Sequence, residues 1–257
     1  MFHLRFKEMM GFAGRMRGCA VILTLCLGAF AAGAADQPAA FTVPVPVEPA
    51  ISLQQGLVEP PRKADFGPTT PSSQAREVAD WVLQSGDHKN LPFMVIDKLQ
   101  ARVFVFQPDG KLRGTTSALL GVAIGDHTVP GIGQKKLSAI KPEERTTPAG
   151  RFMASLAKDI HGIEVLWVDY ESALSLHRVV KGTPKERRAE RLASASVADK
   201  RITYGCINVP VPFYEQVVSP MFKGTYGVVY VLPETKPLRD VFGFQTVQGP
   251  AAVAGSN

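Results

Sequence analysis

Cysteine is scarce in this 257-residue chain, which has three, at positions 19, 26 and 206. Cys19 and Cys26 fall in an N-terminal stretch built like an export signal, so the exported chain is expected to keep Cys206 alone. A lone thiol excludes an intramolecular disulfide framework and leaves a buried bystander, an intermolecular linker or a nucleophile. Long apolar runs are also missing. The most apolar stretch, residues 19–32, is about fourteen residues, short of the roughly twenty that a membrane-spanning helix needs. The histidines show no metal-ligand spacing, and the glycines at 121, 125, 131 and 133 lack a Gly-Lys-Ser/Thr ending. Neither a metal, a phosphate loop nor any other cofactor is therefore expected. A strong charge of one sign is absent as well. Of 29 basic and 23 acidic residues, four basic residues and Glu8 lie in the first 35, leaving 25 against 22. That balance suits a mildly cationic protein among anionic polymers and is no nucleic-acid footprint.

The chain is organised in five parts. In residues 1–35, Arg5, Lys7, Arg15 and Arg17 precede the apolar core, and Ala32-Gly33-Ala34 supplies the small-residue pattern of a signal peptidase site. Cys26 follows Leu25, which argues against a lipoprotein cleavage site. The expectation is an exported, soluble, periplasmic protein without a permanent membrane anchor. Residues 36–71 are rich in proline and alanine and read as an extended tether. Residues 72–90 suit a helix capped by Ser72 or Ser73 and ended by Gly86. Residues 91–233 carry β-rich runs at 93–96, 101–106, 151–156, 163–170, 173–180 and 226–232, with a turn at Pro108-Asp109-Gly110 and a helix after Pro210. Residues 234–257 read as a tail. The fold class expected is mainly β with a few short helices, forming one domain.

Two segments carry chemistry. In 173–177, Leu174 and Leu176 alternate with Ala173, Ser175 and His177, and alternate residues of a strand face opposite ways. His177 then shares the non-core face with two small residues that leave room above the sheet. The second segment is Thr203-Tyr204-Gly205-Cys206-Ile207-Asn208. A thiol needs a base to become a thiolate, and a neighbouring glycine lets backbone N–H groups approach a substrate carbonyl. The pair points to acyl transfer through cysteine.

These residues resemble the L,D-transpeptidase catalytic domain (YkuD-type), in which a histidine at a strand end precedes a Ser/Thr-x-Gly-Cys-x-Arg/Asn loop. His177 and residues 203–208 follow that order. Residues 95–100 look like the family's first hairpin, and Thr147-Pro148-Ala149-Gly150-Arg151-Phe152 looks like its Thr-Pro-x-Gly-x-Phe segment. The resemblance covers roughly residues 91–233. It implies a mixed β-sandwich or barrel and acyl transfer on peptidoglycan stem peptides. Cys206 would be the nucleophile and His177 the general base and acid. Backbone N–H groups around Gly205 and Cys206 would form the oxyanion site, and Thr203, Tyr204, Asn208 and Arg178 would hold loop or substrate.

This chain departs from the pattern in three places. Tyr204 stands where the family often has a second histidine, and Arg178 where it often has a small residue. The 25 residues between His177 and Thr203 include a charge-rich helical run at 186–192, which reads as a cap on the cleft or as a solvated surface helix. Two other functions stay open at this level: a sortase-like transpeptidase, which would want a later arginine near the thiol, and a non-catalytic wall-binding scaffold. The sequence is silent on the resolving amine and on the oligomeric state.

Overall fold

The computed structural model describes residues 62–244. The expected signal segment, the tether up to residue 61 and the tail from residue 245 lie outside the described residues. Among those described, no helix is long and apolar enough to cross a membrane.

The fold is mainly β. Its main strands are β1 (Phe93–Asp97), β2 (Arg102–Phe106), β3 (Leu112–Ser117), β5 (Gly150–Lys158), β6 (Glu164–Asp169), β7 (Leu174–Arg178), β9 (Ile207–Val209) and β10 (Tyr226–Val231), with β4 (Leu120–Gly121) and β8 (Arg201–Thr203) forming a separate pair. The eight-stranded sheet runs β3-β2-β1-β10-β5-β6-β7-β9. Most neighbours are antiparallel, but β1–β10 and β7–β9 are parallel. Just past β3, Leu119 exchanges two backbone hydrogen bonds with Asn208 of β9, at 2.8 and 2.9 Å. The first and last strands are thereby joined, and the sheet curls into a nearly closed barrel that leaves little free edge.

Alternation explains how one barrel carries two apolar layers. In β1 every side chain is buried. Met94 and Ile96 join an interior cluster with Val103, Ala154, Leu166, Leu176, Ile207 and Val229. Phe93 and Val95 face outward into a second cluster with Phe104, Phe106 and Tyr230. That outer layer is covered by α1 (Ser73–Ser85), whose Ala75, Val78, Ala79 and Val82 line one face at helical spacing. The Ser72 hydroxyl accepts from the Ala75 N–H, and Gly86 closes the helix at φ 65°. The interior is plugged by a helical segment after Pro210. It begins as α3 (Val211–Phe213), loosens into a π-turn over Tyr214–Val218 and ends as α4 (Ser219–Phe222), burying Tyr214, Val218 and Phe222.

The folded body is larger than residues 91–233. Residues 62–71, expected within the tether, lie against the sheet: Ala64 and Phe66 are buried, and the Phe66 ring meets Phe104 and Phe106 edge-on at 5.5 and 5.1 Å. A single aromatic side chain outweighs the extended bias of the prolines around it. Beyond residue 233 the chain adds α5 (Leu238–Phe242) and stacks Phe244 on Trp81 at 4.8 Å. Within the 181–201 insertion, α2 (Arg188–Ala193) is held at its C-terminal end by Lys200, whose ammonium donates to the carbonyls of Arg191, Leu192 and Ser194.

Candidate active site

Register places the polar residues together. Strands β7 and β9 pair Leu176 with Ile207, His177 with Asn208 and Arg178 with Val209. Leu174, Leu176, Ile207 and Val209 point into the barrel, so Ser175, His177, Cys206 and Asn208 share its outer face. The Ser175 hydroxyl lies 3.6 Å from Cys206 Sγ, and the thiol can donate to the Ala173 carbonyl at 3.6 Å.

The imidazole is oriented by two partners, one of them fixed in turn by a third residue. Nδ1 lies 2.7 Å from the Arg178 carbonyl, an obligate acceptor, and so carries the proton. Nε2 faces Asn208 Nδ2 at 3.0 Å. The Asn208 amide is fixed by Arg188, a pure donor that takes Oδ1 at 2.9 Å and leaves Nδ2 for the histidine. Neutral His177 therefore has the tautomer a general base needs, with the Nε2 lone pair turned toward the outer face. Burial works against charge on His177, but a hydrogen bond and charge from Cys206 outweigh it and raise the imidazole pKa. Burial likewise opposes the thiolate. His177, by hydrogen bond and charge, and then the Ser175 hydroxyl and N–H more than offset this and lower the thiol pKa. Both shifts run in the direction that favours proton transfer from the thiol to the imidazole.

The turn carrying the thiol is tightly held. Gly205 has φ 126°, and a Cβ there would sit 2.6 Å from the Thr146 carbonyl oxygen, so glycine is required for both conformation and space. The Gly205 N–H donates to Thr203 Oγ1, and that hydroxyl donates to the Cys206 carbonyl. The Gly205 amide is thus committed to Thr203, which leaves Cys206 N–H as the remaining donor of the pair named from the sequence. From the far side, Thr147 donates its hydroxyl to the Gly205 carbonyl at 2.7 Å and accepts from Gly121 N–H.

Behind Thr147 lies a buried ionic knot. Lys98, fully buried, donates to Asp126, to the Gly125 carbonyl and to the Thr147 carbonyl at 2.6–2.8 Å. Glu234 joins Lys98 and Arg201, and Asp126 accepts from the backbone of residues 234–236. Burial disfavours the charge on Asp126, but Lys98, the Thr235 hydroxyl and two backbone N–H groups hold its carboxyl well below the usual carboxylate range. Burial lowers the Lys98 pKa.

Cys206 opens onto a cleft of about 180 Å3 whose far wall is the segment 128–148. That wall carries three 3-10 turns, at Ile132–Gln134, Leu137–Ala139 and Pro142–Glu144. Gly133 fits there because a Cβ would meet the Glu171 carbonyl at 2.4 Å. Tyr204 lines the cleft, and the Arg145 guanidinium stacks on its ring at 3.9 Å.

The structure thus brings Cys206, His177, Asn208, Thr203, Gly205 and Tyr204 to one place. Arg178 is elsewhere: next to His177 on a strand, it turns the opposite way, pairs with Glu215 and Glu164 and stacks on Tyr214 at 4.0 Å. Only its carbonyl serves the site, so a substrate-binding side chain is not its role. His161 sits on an exposed turn after Asp159. Ser175, Thr147 and Arg188 escaped the sequence reading as site residues. Ser175 had a signal, since it shares the alternating face of His177.

The fold and site define a barrel-like β domain with a cysteine–histidine pair on its outer face. No family model matches the sequence, and no curated protein matches it. Among solved structures, similar chains include the catalytic domain of an E. faecium L,D-transpeptidase, at 17% identity and TM-score 0.31, over 55% of this chain and 96% of that one. Mycobacterium tuberculosis L,D-transpeptidase 1 is similar at 16% identity and TM-score 0.30, over 55% and 61%. The helical cell shape determining protein of Campylobacter jejuni is similar at 15% identity and TM-score 0.39, over 57% of this chain and 49%, about half, of that protein. The likeness is loose at these scores, and the chemistry follows from this chain's own residues.

Proposed function

We propose that this protein is an exported cysteine acyltransferase of L,D-transpeptidase type that acts on peptidoglycan stem peptides. The observation that carries the reading is the arrangement of Cys206 and His177 at neighbouring paired strands of one outer face, with the thiol opening onto a cleft; the lowered thiol and raised imidazole pKa agree with it. Such opposed shifts in adjacent groups favour a nucleophile and its base over two structural residues.

In this reading the Cys206 thiolate attacks the carbonyl carbon between the diamino acid and the terminal D-residue of a stem. A C–S bond forms, and the carbonyl electron pair moves to oxygen, stabilised by Cys206 N–H. Collapse breaks the C–N bond, and His177 gives its Nε2 proton to the departing amine. An acceptor amine or water then attacks the thioester, His177 takes its proton, and the thiolate is restored. The Ser175 hydroxyl and N–H hold the thiolate between these steps.

Defined tetrapeptide-bearing muropeptides, incubated with the mature protein and read by product mass, test the proposal. Loss of the terminal D-residue, or a cross-linked product, is expected in the wild type and absent in Cys206→Ala. A carbapenem should add its own mass at Cys206. Unchanged muropeptides together with an unmodified Cys206 would end the proposal in favour of a wall-binding scaffold.

A further inference from the structure

One part of the outer sheet face is only partly covered among the described residues. Where α1 and α5 cover β1, β2 and most of β10 from outside, the outward Met153 of β5 and Tyr226 at the start of β10 are 50% and 62% exposed, while Trp167 of β6 is half-buried and Val165 buried. The pairing register aligns this face with the thiol. Tyr226 pairs with Ser155, Ser155 with Trp167, and Trp167 with Ser175. Ser175 in turn contacts Cys206. Ala154 and Leu166 point into the barrel, so Ser155 and Trp167 point out with the catalytic pair. A row across the strands thus reads Tyr226, Ser155, Trp167, Ser175, Cys206, with Tyr170 stacked on Trp167 at 4.8 Å. Tyr170 and Tyr226 are exposed and Trp167 is half-buried between them and the thiol, and aromatic surface of this kind, continuous with a reactive group, marks a binding face.

We propose that this row is a carbohydrate platform that seats the glycan strand bearing the stem peptide held at Cys206. The inference rests on the function proposed above. Length and chemistry both select a sugar as the occupant. With strands about 4.8 Å apart, Trp167 lies two steps, about 10 Å, from Cys206, and Tyr226 four steps, about 19 Å. Three extended residues, the part of a stem between its sugar and the attacked carbonyl, span about 10–11 Å. The sugar therefore arrives at Trp167, on its side toward Tyr226. There the small Ser155 leaves a gap of two strand spacings between two aromatic side chains. A pyranose presents a flat array of C–H groups with positive hydrogen edges, which suits the negative faces of aromatic rings. An extended peptide would instead seek free backbone edges, and the barrel offers few.

The test uses the mature protein and chitin oligomers, which share the N-acetylglucosamine backbone of the glycan. Binding to the wild type and both variants is read by titration calorimetry; of the two tryptophans, Trp81 is packed beneath Phe244, so a change in emission of the wild type and of Tyr226→Ala also reports Trp167. Saturable binding is expected, weakened about tenfold or more in Tyr226→Ala and in Trp167→Ala. Tyr226 is exposed enough for its variant to fold in any case. Both variants should keep wild-type turnover on a free tetrapeptide and show raised KM on a disaccharide tetrapeptide. If the oligomers do not bind, or bind both variants as tightly as the wild type, the platform is overturned. It is overturned equally if turnover of the free peptide falls as far as that of the glycopeptide, which would make the row a peptide site. Trp167-dependent binding by a protein that turns over neither peptide would uphold the platform and reject the transpeptidase reading instead.

Discussion

Asn208 donates to His177 Nε2 across 3.0 Å while its own oxygen is held by Arg188 at 2.9 Å. The donor is thus turned to the one ring atom that must accept a proton, and Asn208 favours the neutral imidazole. Arg188 adds to this twice: it locks the amide, and its charge opposes that of the imidazolium. The insertion that carries Arg188 therefore moderates the thiolate–imidazolium pair from behind.

Removing that restraint should strengthen the pair. In Arg188→Ala the amide is free to turn its oxygen toward a protonated His177, and the repelling charge is gone. The pH midpoint of Cys206 alkylation should fall relative to wild type. Asn208→Asp, which places an acceptor at the ring, should move it the same way. A midpoint unmoved or raised in both variants would mean that Arg188 only anchors the insertion.

His177→Ala should act in the opposite direction. Without the imidazole, burial is opposed only by the Ser175 hydroxyl and N–H, so the alkylation midpoint should rise toward the ordinary cysteine value of about 8.5. Turnover of muropeptides should drop by roughly 10²–10⁴-fold. His161→Ala, on its exposed turn, should leave both quantities near wild type. Thiol alkylation against pH and muropeptide kinetics read the contrast.

How much of this was legible beforehand differs by residue. The outer-face grouping of Ser175 with His177 follows from the alternation in 173–177, and the Gly-Cys turn declares itself by residue type. The parallel pairing of β7 with β9 joins segments about thirty residues apart and leaves no local trace, so the sequence named Asn208 only through family resemblance, as a residue holding loop or substrate, and its place opposite His177 was not legible. Arg188 was hidden because a charged helix most often faces water, and α2 does so except at Arg188, Arg191 and Leu192, which are half-buried. Phe66 was read as tether because proline content describes a segment, while one buried aromatic decides where it packs. Arg178 was misassigned because adjacency in a strand means opposite faces.

The Gly205 turn permits a direct packing test. At φ 126° with a carbonyl oxygen 2.6 Å from the added Cβ, Gly205→Ala must shift either the Cys206 loop or the 146–147 segment. Alkylation and turnover should both fall even if the fold survives. Thr147→Val removes the hydroxyl that ties Gly205 and Gly121 together and should lower activity with a smaller loss of thermal stability. Thermal melting beside turnover separates the two effects. A fully active Gly205→Ala enzyme would show that the loop geometry is not critical.

The buried knot predicts how stability depends on pH. Asp126 has its folded pKa depressed below the unfolded value of about 3.9. Its contribution is therefore fully present above the unfolded value and is lost as pH falls below it toward the folded value. Asp126→Asn should reduce stability at neutral pH and flatten the acid limb of the stability curve. Lys98→Ala should cost more at neutral pH, about 3–5 kcal/mol, because Asp126 and Glu234 lose a buried counter-charge. In Lys98→Ala, acidification should initially recover part of the loss as the abandoned carboxylates protonate. Urea unfolding between pH 3 and 7 checks these signs. Parallel acid limbs in wild type and Asp126→Asn would mean that another carboxylate governs acid unfolding.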